Sequence, residues 1–199
     1  MVVSSIMKFI TAFYFVFTSL VISAQQPALI EYAAVTSFHW GLFEGKINQD
    51  HLKQMGQNTG AVTVSSISYT SQQTSVSEAT VVITARFHTQ ESWTRFPNLN
   101  QPDEALNHER RHLDITEIYA RKLRQAVSKA RFSTKHFNKE LDRLFNDYAG
   151  QHRAEQVRYD HETRHSTEAE NQKEWDQKID AWMEELSAYI EDKIVVRLD

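Results

Sequence analysis

Apolar residues change their rhythm three times along the chain, and each rhythm predicts a different kind of element. The first is a nearly continuous apolar run from Phe9 to Ile22, preceded by Lys8 and followed by Ser23-Ala24 and polar Gln25-Gln26-Pro27. A positive charge, an apolar core and small residues in that order predict a secretory signal over residues 1–24, separate from the fold. A short N-terminal membrane anchor is the alternative, and the run falls short of the ~20 residues that a spanning helix needs.

Strand patterning follows over residues 28–101. Thr63-Val64-Ser65-Ser66-Ile67-Ser68-Tyr69-Thr70 and Thr80-Val81-Val82-Ile83-Thr84-Ala85-Arg86-Phe87 are rich in β-branched and aromatic residues, and Ser71-Gln72-Gln73-Thr74 begins the link between them. A β-hairpin or meander is expected. Phe38-His39-Trp40 and Phe43 mark a weaker strand or edge segment, and Ser92-Trp93 with the Pro97-to-Pro102 loop should close the sheet.

The spacing then turns helical over residues 103–192. Asp103 can cap a helix beginning near Glu104, in which Leu106, Leu113, Ala120 and Val127 recur every seven residues. A second helix is expected from about Lys135 to about Glu162, with Phe137, Leu141, Leu144, Phe145 and Tyr148 as its apolar side. A third should carry Trp175, Ile179, Trp182, Leu186 and Ile190, a stripe most simply read as core. The expected architecture is α+β: a small antiparallel sheet followed by about three helices, in one domain over residues 25–199.

Composition narrows the chemistry. The net charge of −4 and the interspersed Lys, Arg, Asp and Glu give no nucleic-acid surface. There is no cysteine, so disulfides and thiolate ligands are excluded and any metal site must use His, Asp and Glu.

Those ligand types meet on the first long helix as His108-Glu109-Arg110-Arg111-His112. At 100° per residue, the two histidines project about 40° apart, so both imidazoles can reach one ion. Glu109 is rotated about 100° from His108, a placement suited to a metal-associated water rather than to the metal. Zinc lowers the pKa of such a water toward ~7, and a carboxylate beside it can act as general base. The bland alternative is a solvated helix face carrying two incidental histidines.

A catalytic zinc takes three protein ligands and keeps a fourth position open. The stretch Tyr159-Asp160-His161-Glu162-Thr163-Arg164-His165 concentrates candidates. His165 ranks first, then Asp160 and Glu162, and His161 last. On a continuous helix, His161 and His165 share a face but Asp160 and His165 do not, so the choice depends on where the helix ends.

The stretch from Asn107 to Leu123 resembles the signature of a family of bacterial secreted proteins described as predicted zinc-dependent proteases of unassigned substrate. In that family a Ser-Trp pair precedes the motif helix, matched by Ser92-Trp93. Downstream it has Tyr-Asp-x-x-Thr-x-His, matched by Tyr159, Asp160, Thr163 and His165. The resemblance runs from about Trp40 to Trp175. It implies a zincin-like active-site helix, His165 as third ligand, and Tyr159 and Asp160 beside the site. Members usually have Gly after the last histidine and Phe after the second motif histidine, where this chain has Ser166 and Leu113.

Helical geometry places Ile115 and Tyr119 on the same side as His108, where packing is their expected role. Glu117 and Asp114 fall off that face and should pair with Lys or Arg or hold a neighbouring helix. Asp160 is the candidate carboxylate for orienting a ligand histidine if it does not bind zinc itself. Two functions are open. One is a periplasmic or secreted zinc metallopeptidase acting on a peptide or protein substrate, with Glu109 as base and no stable membrane span once the signal is removed. The other is a non-catalytic zinc-binding envelope or interaction protein, to which the intact Glu109 gives less support. A weaker third has the zinc merely stapling a helical interaction surface.

Overall fold

The structure, a computed structural model, describes residues 28–47, 49–55, 59–95 and 103–199. The expected signal with its anchor alternative, the Pro97-to-Pro102 loop and the side chain of Asp103 lie outside that set. In chain order the elements are β1 (Leu29–Glu31), α1 (Gln49–Met55), β2 (Ala61–Val62), β3 (Ser65–Ser75), β4 (Glu78–His88), β5 (Trp93–Thr94), α2 (Asp103–Lys129), α3 (Phe137–Thr163), α4 (Ala169–Glu185) and β6 (Lys193–Arg197). The fold is α+β, with antiparallel sheets and three long helices.

β4 is the centre of the main sheet. β3 runs along one side of it, while β1 and β6 share the other, all antiparallel. Alternation along β4 buries Ala79, Val81, Ile83, Ala85 and Phe87. The first four of these pack in one cluster with Ala120, Leu123 and Val127 of α2. The opposite side of α2 supplies Ile115, Ile118 and Tyr119, which meet Tyr159 of α3 and Trp175 and Ile179 of α4. α2 is therefore covered on both sides, and each fully buried aliphatic side chain along it contributes about 1.5–3 kcal/mol. That packing holds the motif on a rigid element.

Several expectations need correction. Ser71-Gln72-Gln73-Thr74 is not a link: pairing continues through Ser71↔Val81, Gln72↔Thr80 and Gln73↔Ala79, and the turn falls at Val76-Ser77. These strand residues are exposed, so no hydrophobic alternation marks them. Phe38-His39-Trp40 and Phe43 form no strand. Trp40–Leu42 is a 3₁₀ turn, and Phe38 and Phe43 pack edge-on to each other and to Phe87. Trp93 does not close the main sheet but pairs with Val62 in a separate two-stranded one.

At the other end of the chain, the third helix stops at Glu185, Leu186 caps it, and Ile190 lies beyond it, 53% exposed. The last strand, Lys-Ile-Val-Val-Arg, returns to pair with β4 through Ala79↔Val196 and Val81↔Ile194. Five residues with charges at both ends carry too little pattern to announce a strand.

Asp114 and Glu117 do pair with arginine. Asp114 accepts hydrogen bonds from Arg111 and Tyr32. Glu117 accepts from Arg121 and Arg124, all three buried. Arg124 also donates to the carbonyls of Ile83 and Tyr189 and to Asp192, so one guanidinium ties α2 to β4 and to the C-terminal segment.

Candidate functional site

The i, i+4 spacing on α2 brings the rings of His108 and His112 together, with 3.3 Å between their Nε2 atoms. Both rings are buried, and so is Glu109. α3 crosses this face and delivers Asp160. Its Oδ1 lies 3.2 Å from His108 Nε2, 3.0 Å from His112 Nε2 and 3.2 Å from His165 Nδ1. His108, Asp160 and His165 each offer a ligand atom within 4.8 Å of the others'. His112 joins them through His108 and Asp160.

The end of α3 decides which downstream residues take part. The helix stops at Thr163, whose hydroxyl donates to the carbonyl of Tyr159. Arg164, His165 and Ser166 then take positive φ values of 45°, 52° and 70°. For L-residues each such conformation costs roughly 1–2 kcal/mol. This left-handed turn carries His165 back over the last turn of α3, where its N–H reaches the Asp160 carbonyl at 3.1 Å and its ring reaches the Asp160 carboxylate. On a continuous helix Asp160 and His165 would have pointed apart. Ser166, which stands where the resembling family usually has Gly, falls on one of the positive-φ positions that favour Gly.

Two of the downstream candidates lie elsewhere. Glu162 accepts from Arg158 and from the Trp175 indole at 2.7 and 2.8 Å, and it takes no part in the cluster. His161 is exposed and likewise outside it. Tyr159 does belong: its ring stacks on His108 with centroids 4.6 Å apart. Tyr119 packs in the core and donates to Glu155.

Two glutamines that carried no signal in the sequence complete the array. Gln156 donates through Nε2 to the His112 carbonyl at 2.8 Å, while its Oε1 lies 2.6 Å from His112 Nδ1. Gln172, on α4, donates through Nε2 to the Asp176 carboxylate at 3.0 Å, while its Oε1 lies 3.0 Å from His108 Nδ1. A carbonyl and a carboxylate can only accept, so both amide orientations are set and both amide oxygens face a ring nitrogen. The α4 helix is held to α2 by further bonds from Asn107 and Arg111 to Asp176 and from Arg111 to Asp180.

The charges of the cluster are coupled. Burial alone would raise the Asp160 carboxyl, but the charge of His112 and the hydrogen bonds from His108, His112 and His165 hold it far below the usual carboxylate range. Burial would lower His112, and Asp160 outweighs it, raising the imidazole to about 9. His165 is raised chiefly by its hydrogen bond to Asp160. Glu109 Oε2 is buried and has no hydrogen-bond partner among the described residues. Such an atom is costly unless a water or another ligand meets it.

No described helix is long and apolar enough to cross a membrane. No curated protein and no solved structure matches the chain. A family match does exist over residues 24–166, a stretch that takes in β1 to β5, α2, α3 and His165 and stops short of Gln172, and by it the chain belongs to the bacterial family of unknown function DUF922.

Proposed function

We propose that this chain is an exported zinc-dependent metallopeptidase that hydrolyses peptide or amide bonds, with Glu109 as general base. The observation that carries the reading is the convergence of His108 Nε2, His112 Nε2 and His165 Nδ1 on one point at Asp160 Oδ1, together with the buried, unpartnered oxygen of Glu109, the residue next to His108 on α2. The donor set fits catalytic zinc, which takes nitrogen and oxygen ligands and leaves a position open.

His108, His112 and His165 would hold the ion, with Asp160 as orienting carboxylate or alternative ligand. Zinc, when bound, supplies Lewis acidity and brings an adjacent water toward a pKa of ~7. Glu109 accepts a proton from the attacking water and passes it to the leaving amine. Asp160 offsets the positive charge of the site, and because its Oδ1 meets the same ring nitrogens that would hold the ion, its position suits an alternative ligand better than an orienting carboxylate. His165, with 47% of its side chain exposed, leaves this side of the site open to solvent, whereas His108 closes the other. Residues 1–24 direct the chain to the periplasm or outside the cell, which N-terminal mass analysis of the exported protein tests through cleavage after Ala24.

The mature protein should bind about one zinc per chain. Glu109→Gln should keep that zinc and lose hydrolysis of a broad peptide library. Equal turnover by the two proteins removes Glu109 from its role, and zinc binding with no turnover by the parent protein favours the non-catalytic zinc-binding reading instead.

A further inference from the structure

The two motif histidines are each bound at Nδ1 by an amide whose orientation is dictated from its far side. Gln156 spends its Nε2 on the His112 carbonyl, so its Oε1 is what meets the His112 ring. Gln172 spends its Nε2 on Asp176 and on the Tyr159 hydroxyl, so its Oε1 is what meets the His108 ring. An amide oxygen has only lone pairs to offer, so it draws the ring proton to the nitrogen that faces it. At Nε2 each ring faces a second acceptor, the Asp160 carboxylate, at 3.2 Å from His108 and 3.0 Å from His112. In the metal-free site amide and carboxylate therefore compete for one ring proton, and an ion that takes the Nε2 lone pairs leaves that proton to the amide.

We propose that Gln156 and Gln172 are positioning residues that act as tautomer locks, drawing the ring protons of His112 and His108 to Nδ1 in competition with Asp160 and so freeing both Nε2 lone pairs for one metal ion, and that α4 is thereby a working part of the site. Neither amide touches the point where the Nε2 atoms converge; each acts through its histidine. Tyr159 supports one lock, exchanging hydrogen bonds with both ends of the Gln172 amide at 2.8 and 3.1 Å. His152 supports the other. Its Nε2 lies 2.9 Å from Gln156 Nε2 and 2.9 Å from Thr116 Oγ1, and Thr116 donates in turn to the His112 carbonyl. Gln172 lies beyond the stretch that matches the family, so half of the lock is supplied by a helix outside it. The tautomer lock stands on hydrogen bonding alone, whereas its effect on zinc rests on the metal site proposed above.

Nitrogen–proton correlation NMR of the histidine rings in metal-free protein, at a pH of about 10.5 where imidazoles are neutral, reads the tautomer directly. Both His108 and His112 should show Nδ1–H in balance with the Nε2–H form that Asp160 favours. Gln172→Met, which keeps length but removes the acceptor, should shift His108 toward Nε2–H and leave His112 unchanged, and Gln156→Met should do the reverse. Zinc affinity, measured against a competing chelator, should fall by about 10–100-fold in each Met variant. Exchange of the Nδ1 protons in zinc-loaded parent protein tests the lock even if a Met variant fails to fold, because a proton held by a buried amide oxygen should exchange slowly with solvent. Met variants with unchanged tautomers, or Nδ1 protons in the zinc-loaded parent that exchange as fast as those of an exposed histidine, overturn the lock. Parent protein that shows the expected tautomers and binds no zinc leaves the lock standing and removes the metal site.

Discussion

The ring of Tyr159 lies nearly parallel to that of His108, 4.6 Å between centroids and 19° between planes, and its hydroxyl reaches both the His108 carbonyl and Gln172. One side chain thus supports the histidine from its face and the glutamine that holds its Nδ1. Tyr159→Phe keeps the stack and removes the hydroxyl, leaving a buried amide short of a partner, and should cost about 1–3 kcal/mol. Tyr159→Leu also loses the ring contacts and should cost more. Urea unfolding of the two variants separates face packing from hydrogen bonding, and equal losses would assign the whole effect to the ring.

His152 links stability to pH. Burial, with the nearby charges of His112 and Arg153, lowers its imidazole from 6.5 to about 4. The unfolded chain therefore takes up this proton first as pH falls. The stabilisation is complete above about 6.5, is lost progressively between about 6.5 and about 4, and is gone below that. A shift of that size corresponds to roughly 3 kcal/mol. His152→Phe should flatten the stability profile in this window relative to the parent protein, and parallel profiles from urea unfolding at several pH values would rule the contribution out.

Ser166 stands at φ 70° where Gly carries no side-chain penalty. Removing a left-handed cost of about 1–2 kcal/mol, less the roughly 0.5–1 kcal/mol of extra chain entropy that Gly loses on folding, leaves a net gain of about 0.5–1 kcal/mol. Ser166→Gly should raise the melting temperature by a few degrees. A lower melting temperature would show that the turn is not held in the left-handed region in solution.

Arg124 is 1% exposed and shares Glu117 with Arg121. Arg124→Met leaves Glu117 with a weaker counter-charge and the Ile83 carbonyl without its donor, and should cost about 3–5 kcal/mol. The double variant Glu117→Met, Arg124→Met should recover part of that loss, because the stranded carboxylate goes with it. Strict additivity of the two losses in denaturant titrations would argue against the coupling.

Zinc at about 100 times its dissociation constant should stabilise the fold by about 2.7 kcal/mol, or about 5–10 °C for a chain of this size. A chelator should reverse the shift. His108→Ala should abolish the zinc-dependent shift even where it folds, and a shift that survives this substitution would place the ion elsewhere.

Read alone, the sequence determined what is local. His108 and His112 share a face because four residues make about one helical turn, and Leu113, Ala120 and Val127 are buried because the seven-residue spacing returns each to the same side. The same logic sent Asp114 and Glu117 to arginine partners. Tertiary structure alone decided the rest of the site. The exclusion of Glu162 follows from Arg158 and Trp175 claiming its carboxylate. The meeting of Asp160 with His165 needs three consecutive left-handed residues, none of them the Gly that would have announced the turn. Gln156 and Gln172 reach their histidines from 44 and 64 residues away. A glutamine on a helix carries no pattern until the neighbouring helix is in place, because its role depends on which ring nitrogen its amide oxygen meets, a matter of helix packing rather than periodicity.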